Sequence, residues 1–211
     1  MKKRPADRGA LYTVAVFVLR VMLWLFCGVR TRGREHVPAQ GPVIFLCNHA
    51  HALDPMALAV CVRPRQPHFM AKAELFRKKW LAFLLRAVHA FPVERGKADL
   101  SAMREAWHVL RRGAPLGIFP EGHRYTSGEM GEIKSGAAVL ALKFDVPVIP
   151  TFIYGSFRLF GRTRVIVDSA MDLRDLRQAG TDKETCDACV KRMRQALESL
   201  RDQCAAWAAQ G

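Results

Sequence analysis

The sequence has no internal repeat and no low-complexity linker, which leaves one globular domain as the simplest organisation for 211 residues, half of them hydrophobic. It also has no second cysteine pair near Cys186 and Cys189, so this lone C-x-x-C, set in a polar helical pattern, reads as two ordinary helix residues and not as a zinc or redox motif. The other cysteines lie at 27, 47, 61 and 204, several inside apolar runs. That scatter is unlike the framework of a small secreted domain, and a reducing, cytosolic compartment is expected. Acidic residues are few: 19 Asp and Glu against 33 Lys and Arg give a formal charge of +14. Such a balance points to anionic partners, whether lipid headgroups, phosphorylated substrates, an acidic carrier protein or nucleic acid. The basic residues are not interleaved with a recognisable RNA or DNA motif, so nucleic acid is set aside.

Residues 11–29 are almost wholly apolar apart from Thr13 and Arg20, and follow Lys2, Lys3, Arg4 and Arg8. No A-x-A-like site of small residues closes the run at Phe26, Cys27 and Gly28, which argues against a cleaved signal peptide. A central Arg costs a spanning helix about 2.5 to 3.5 kcal/mol, a cost that the surrounding Leu, Val and Phe offset. Yet Arg30, Arg32 and Arg34 make the far flank basic as well, so no orientation is specified. A helix lying in the membrane interface with Arg20 snorkelling satisfies both observations; spanning and a buried core helix are the alternatives. The expected organisation is a membrane-associating segment over 1–29 and a domain over 30–211, held at the cytoplasmic face of the cell membrane.

Beyond residue 29, short apolar runs bounded by Gly and Pro alternate with longer segments of helical period, which predicts an α/β fold: a mixed sheet flanked by helices. Strands are predicted at 43–47, 68–71, 90–93, 116–119, 148–153 and 164–167, and helices at 55–62, 74–88, 98–111, 135–144 and 182–207. The 74–88 segment sets Arg77, Lys78, Lys79 and Arg86 beside Leu75, Phe76, Trp80 and Phe83, a basic amphipathic pattern suited to lipid or simply to its own core.

The strongest chemical signal is Asn48-His49-Ala50-His51-Ala52-Leu53-Asp54-Pro55. Asp54 before Pro55 predicts a helix start with Asp as N-cap, which puts His49 on the loop between strand and helix. A loop folding back over the N-cap would bring imidazole and carboxylate together as a general base, the carboxylate fixing the tautomer and stabilising the imidazolium. Spacing alone leaves open a capping aspartate beside an ordinary loop histidine. A metal held by His49, His51 and Asp54 would lack a fourth ligand.

Three further blocks follow in order: Phe91-Pro92-Val93-Glu94-Arg95, then Phe119-Pro120-Glu121-Gly122 with Arg124, then Val146-Pro147-Val148-Ile149-Pro150. With the first motif and the lead-in Arg32-Gly33-Arg34-Glu35-His36-Val37-Pro38, they resemble the 1-acylglycerol-3-phosphate acyltransferase family over roughly residues 30 to 155. The resemblance implies an α/β acyltransferase fold, an acyl-CoA or acyl carrier protein donor, and a lysophosphatidic acid acceptor converted to phosphatidic acid. It implies no cofactor and no metal, with His49 as base and Asp54 as its partner. His51 stands where the family often has Ser, and His123 where it usually has Thr, which bears on the acceptor more than on the reaction.

The acceptor phosphate calls for fixed cations, and Arg favours bidentate contacts. Arg95 occupies the matching position in the second block. Lys134 precedes the small residues Ser135, Gly136, Ala137 and Ala138 at a predicted helix start, where a phosphate could approach free N–H groups. Arg124 would serve donor or acceptor. Gly122 is expected to turn a backbone N–H towards the thioester oxyanion, and Glu121 to hold the acceptor or the loop.

Overall fold

A computed structural model of the chain describes residues 10–87, 89–93, 100–125, 130–158 and 161–210. In chain order the elements are α1 (Ala10–Cys27), β1 (Arg30–Arg32), β2 (Val43–Cys47), α2 (Asp54–Cys61), β3 (His68–Lys72), α3 (Lys79–Ala87), β4 (Ala90–Val93), α4 (Leu100–Arg111), β5 (Pro115–Ile118), α5 (Ser135–Lys143), β6 (Val148–Tyr154), β7 (Arg164–Val167), α6 (Arg174–Ala179) and α7 (Lys183–Ala209). The strands form one sheet in the order β1-β7-β6-β2-β5-β3-β4. β6 and β7 pair antiparallel and every other neighbouring pair is parallel, so the sheet is mixed as expected.

β2 lies at the centre with all five residues buried, and its unbroken apolar run Val-Ile-Phe-Leu-Cys is what a parallel strand covered on both faces requires. Its side chains alternate between two cores. Ile44 and Leu46 pack with Leu116, Val148, Leu110, Ala138, Met193 and Leu197 beneath α4, α5 and α7. Val43, Phe45 and Cys47 pack with Leu58, Val60, Ile149 and Val165 beneath α1 and α2. Each such fully buried aliphatic side chain stabilises the fold by about 1.5 to 3 kcal/mol. Cys186 and Cys189 sit in the first core, as helix residues of α7.

Three differences from the sequence reading have physical causes. The predicted helix 74–88 is a 3-10 turn (Ala73–Arg77) followed by α3, with extended backbone at Lys78 between them. β1 was missed because Arg-Thr-Arg carries no apolar residue, and it is an edge strand that forms by pairing with β7. α6 was missed because none of its six residues is buried. α1 is tied to the domain through buried Leu23 and through Val29, whose N–H donates to the Leu23 carbonyl at 3.2 Å. Phe17, Val18, Met22, Trp24 and Leu25 on the same helix are exposed. Among the described residues, no helix is long and apolar enough to cross a membrane.

Candidate active site

The C-terminal ends of the parallel strands carry the polar loops, as open α/β sheets generally arrange them. At the end of β2 the chain leaves the sheet at Asn48, whose side chain is buried. Its Nδ2 donates to the Ile153 carbonyl at 3.0 Å and its Oδ1 accepts from the Ile153 N–H at 2.8 Å, which ties this end of β2 to β6.

The next residue, His49, is fixed from four directions. Its backbone N–H donates to Glu121 Oε1 at 2.9 Å, and its carbonyl accepts from the Tyr125 N–H at 2.9 Å. Its ring lies 4.4 Å from that of Phe119, centroid to centroid. Its Nδ1 meets Asp54 Oδ2 at 3.0 Å. A carboxylate only accepts, so in the neutral imidazole the Nδ1 proton points to Asp54 and Nε2 keeps its lone pair. The His49 side chain is 11% exposed and that of Asp54 1%, so the pair is shielded while the imidazole still reaches the surface of a cavity.

Asp54 differs from the expected N-cap. Leu53 takes the cap position and Asp54 is the first residue of α2, with Pro55 behind it. The same Oδ2 that meets His49 accepts from the N–H of Ala50 at 2.8 Å and of His51 at 2.6 Å. The carboxylate therefore organises the loop that precedes the helix, and that is what folds His49 back across five residues. His51 is turned away from this cluster: its Nδ1 accepts from the Leu53 N–H at 3.1 Å, and its ring lies 5.1 Å from that of Phe157.

Glu121 is 1% exposed and holds the loop. One oxygen accepts from His49, and the other from the Gly131 N–H at 2.9 Å. A Cβ at position 131 would stand 1.8 Å from the Tyr125 ring, so any larger residue there would displace that ring. The Gly131 carbonyl accepts from Arg194 of α7 at 2.7 Å, which extends the frame to the long helix. Gly122, at φ +71°, closes a tight turn by donating its N–H to the Phe119 carbonyl at 3.1 Å. That N–H is engaged, which corrects the expectation that it faces the oxyanion.

Lys134 occupies the N-cap position of α5 and is exposed, with Nζ 2.9 Å from Glu132 Oε2; that hydrogen bond raises its pKa above the ordinary lysine value. Gly136, two residues on, leaves open space where a Cβ would be. Arg124 is exposed on the loop after Gly122. Arg95 lies outside the described residues.

A cavity of about 270 Å³ opens against His49 and Glu121, with Tyr125, Met130, Tyr154 and Arg201 among its walls. Tyr125, Tyr154 and Arg201 went unnoticed in the sequence reading because each comes from a segment remote in the chain. Only the strand order and the path of α7 bring them together. Cys47 lies two residues before His49 but is fully buried in the core under α2. Burial pushes its thiol well above the ordinary value, and the Asp54 carboxylate adds to that. A thiolate nucleophile is disfavoured there.

A family model described as Acyltransferase matches residues 28–154, which contain His49, Asp54 and Glu121. The chain is 30% identical over 198 residues to the 1-acyl-sn-glycerol-3-phosphate acyltransferase of Bacillus subtilis, spanning 92% of this chain and 98% of that protein. It is 26% identical over 214 residues to the protein of the same name from Streptococcus pneumoniae, spanning 98% of this chain and 79% of the relative. Among solved structures, the 1-acyl-sn-glycerophosphate (LPA) acyltransferase PlsC from Thermotoga maritima superposes with a TM-score of 0.68 at 23% identity, over 92% of this chain and 83% of that one. At that identity the likeness speaks for the fold.

Proposed function

The chain belongs to the Acyltransferase family, and from that premise we propose that it moves a fatty acyl group from an acyl thioester, acyl-CoA or acyl carrier protein, to the free hydroxyl of 1-acylglycerol-3-phosphate, forming phosphatidic acid. The acceptor follows the names of the relatives in Bacillus and Streptococcus. The observation that carries the mechanism is the buried Asp54 carboxylate on His49 Nδ1 at the wall of a cavity.

In this reading His49 Nε2 takes the proton of the acceptor hydroxyl as its oxygen attacks the thioester carbonyl, and Asp54 stabilises the imidazolium that forms. The tetrahedral oxyanion collapses, the C–S bond breaks, and the proton on His49 passes to the departing thiolate. Thiolate is already a good leaving group, so one base suffices and neither cofactor nor metal is called for. Glu121 keeps the His49 backbone in register with the cavity instead of acting as a second base. Arg124, Lys134 and Arg95 are the candidates for the acceptor phosphate.

The exposed apolar face of α1, with Phe17, Trp24 and Leu25, supports a peripheral or monotopic position at the cytoplasmic face of the membrane, close to lipid acceptors. Deleting residues 1–27 should release the protein from anionic vesicles in a flotation assay; full retention would place the contact elsewhere.

The deciding experiment offers purified protein one acyl-CoA, or one acyl carrier protein thioester, with mixed lysolipids, and identifies products by liquid-chromatography mass spectrometry. Phosphatidic acid should dominate. A different diacyl product would keep the chemistry and change the acceptor, in line with His51 and His123 at their unusual positions. Free fatty acid formed without any acceptor would replace transfer by hydrolysis.

A further inference from the structure

The edge of the sheet beside the cavity carries a cluster of arginines that the proposed chemistry does not use. β1 and β7 pair with Arg30 opposite Arg164, and β7 pairs with β6 with Arg164 opposite Tyr154, a wall of the cavity. Thr31 points to the α2 side, its Oγ1 3.1 Å from Cys61 Sγ. Strand alternation therefore sends Arg30 and Arg32 to the opposite face, that of α7. There the Arg32 guanidinium carbon lies 4.1 Å from the centre of the Trp207 ring and that of Arg164 lies 5.2 Å from it. Arg201, on the same helix six residues before Trp207, lines the cavity. Cavity and cluster thus share one face of the sheet and one helix.

What the cluster lacks is an anion. Among the described residues, no carboxylate forms an ion pair with Arg30, Arg32, Arg162 or Arg164. Arg164 is 2% exposed, yet among the described residues its Nε has no hydrogen-bond partner, and its Nη1 reaches only the carbonyls of Gly28 at 3.4 Å and Thr163 at 3.5 Å. Burial first, then the charges of Arg30, Arg162 and Arg32, holds this guanidinium below its ordinary pKa. Like charges gathered around a buried, underbonded guanidinium oppose folding unless an anion joins them. Planar donors of this kind suit a phosphate ester.

Two strand spacings separate β7 from β2, about 10 Å, so the cluster stands well to the side of His49. The acceptor carries its phosphate on the carbon next to its reacting hydroxyl, too close to span that gap with the hydroxyl at His49. A thioester donor differs: its phosphate lies at the far end of a pantetheine arm. We propose that Arg32 and Arg164, both set against Trp207, together with Arg30 beside Arg164, form the subsite for the phosphate ester at the far end of the acyl donor, so that the thioester is delivered along the α7 face to His49. This deepens the acyl-transfer reading and rests on it. The phosphate belongs either to the nucleotide of coenzyme A or to the phosphopantetheine of a carrier protein.

The test uses the full chain and the double variant Arg30→Ala/Arg32→Ala, which alters two exposed residues and leaves buried Arg164 in place. Binding is read without turnover, from the fluorescence of Trp207 (identified by its loss in Trp207→Phe) on adding desulfo-coenzyme A or a phosphopantetheinylated carrier protein. Each arm identifies one source of the phosphate. At least one probe should perturb Trp207, and the double variant should weaken that probe's Kd by at least about tenfold, with a matching rise in donor KM and an unchanged acceptor KM. Arg30→Lys/Arg32→Lys should restore part of the loss, which an edge strand merely destabilised by alanine would not separate by substrate. Unchanged Kd and donor KM would overturn the subsite. So would a rise confined to acceptor KM, or a loss confined to binding of anionic vesicles. Donor binding that depends on the arginines in a protein without transfer activity would instead sink the acyl-transfer reading and leave the phosphate site standing.

Discussion

Two loops at the same edge of the sheet each bury a carboxylate to 1% exposure, and they use it differently. After β2, Asp54 collects the His49 imidazole and two loop N–H groups on a single oxygen. After β5, Glu121 divides its two oxygens between the N–H groups of His49 and Gly131. Both are satisfied buried charges, which is the condition for their being tolerated at all. The first carboxylate touches a group able to move a proton. Among the described residues, the second hydrogen-bonds only to backbone. The difference teaches that burial and hydrogen bonding do not identify a reactive carboxylate; the identity of its partner does.

Mutations can break this contrast, and the largest effect belongs to the imidazole. His49→Ala should lower turnover by at least about two orders of magnitude while circular dichroism and thermal unfolding stay close to wild type. A variant retaining more than about a tenth of the activity would remove the proton chemistry from the first loop. Asp54→Asn comes next. It keeps an acceptor for the loop N–H groups but loses the charge that stabilises an imidazolium, so kcat should drop by about a hundredfold with little change in either KM. A purely structural Asp54 would show itself as a lowered melting temperature with kcat preserved.

Glu121→Gln sharpens the comparison from the other side. The side-chain amide accepts from one N–H and presents a donor to the other, at a cost of about 1 to 3 kcal/mol. Melting temperature should therefore fall, and activity by about tenfold or less, through loosened placement of His49. A larger kinetic than thermal effect would promote Glu121 to a direct role. The smallest change is expected for Cys47→Ala, with substantial activity retained and about 1 kcal/mol of stability lost from the core under α2. Initial rates with both substrates varied should give intersecting lines. Parallel lines together with an acyl adduct on Cys47 would make the mechanism a two-step one.

Where periodicity and turn residues agreed, the sequence was readable: β2, β4 and β7 lie where the apolar runs between Gly, Pro and charged residues put them. Pairing of His49 with Asp54 was left open by spacing and became an expectation only through the family resemblance; the 3.0 Å contact comes from the fold. What could not be read has a common cause in distance along the chain. Asn48 finds its partner 105 residues away and Glu121 reaches back 72, while the arginines of β1 acquire their surroundings only from β7 and α7. The role of Gly122 was misjudged because a turn glycine shows that the backbone bends without showing where its N–H is spent.

Asn48 carries a consequence of a different kind. Its carboxamide gives to Ile153 one donor and one acceptor, the two kinds of contact that further backbone of β2 would have offered to β6. To β6, then, the strand continues for one residue after the main chain has already departed. A side chain that impersonates the backbone separates two things usually inseparable, where a strand stops and where its neighbour stops noticing it. The main chain so released is free to turn His49 out of the sheet, while β6 keeps an unbroken ladder beside the cavity.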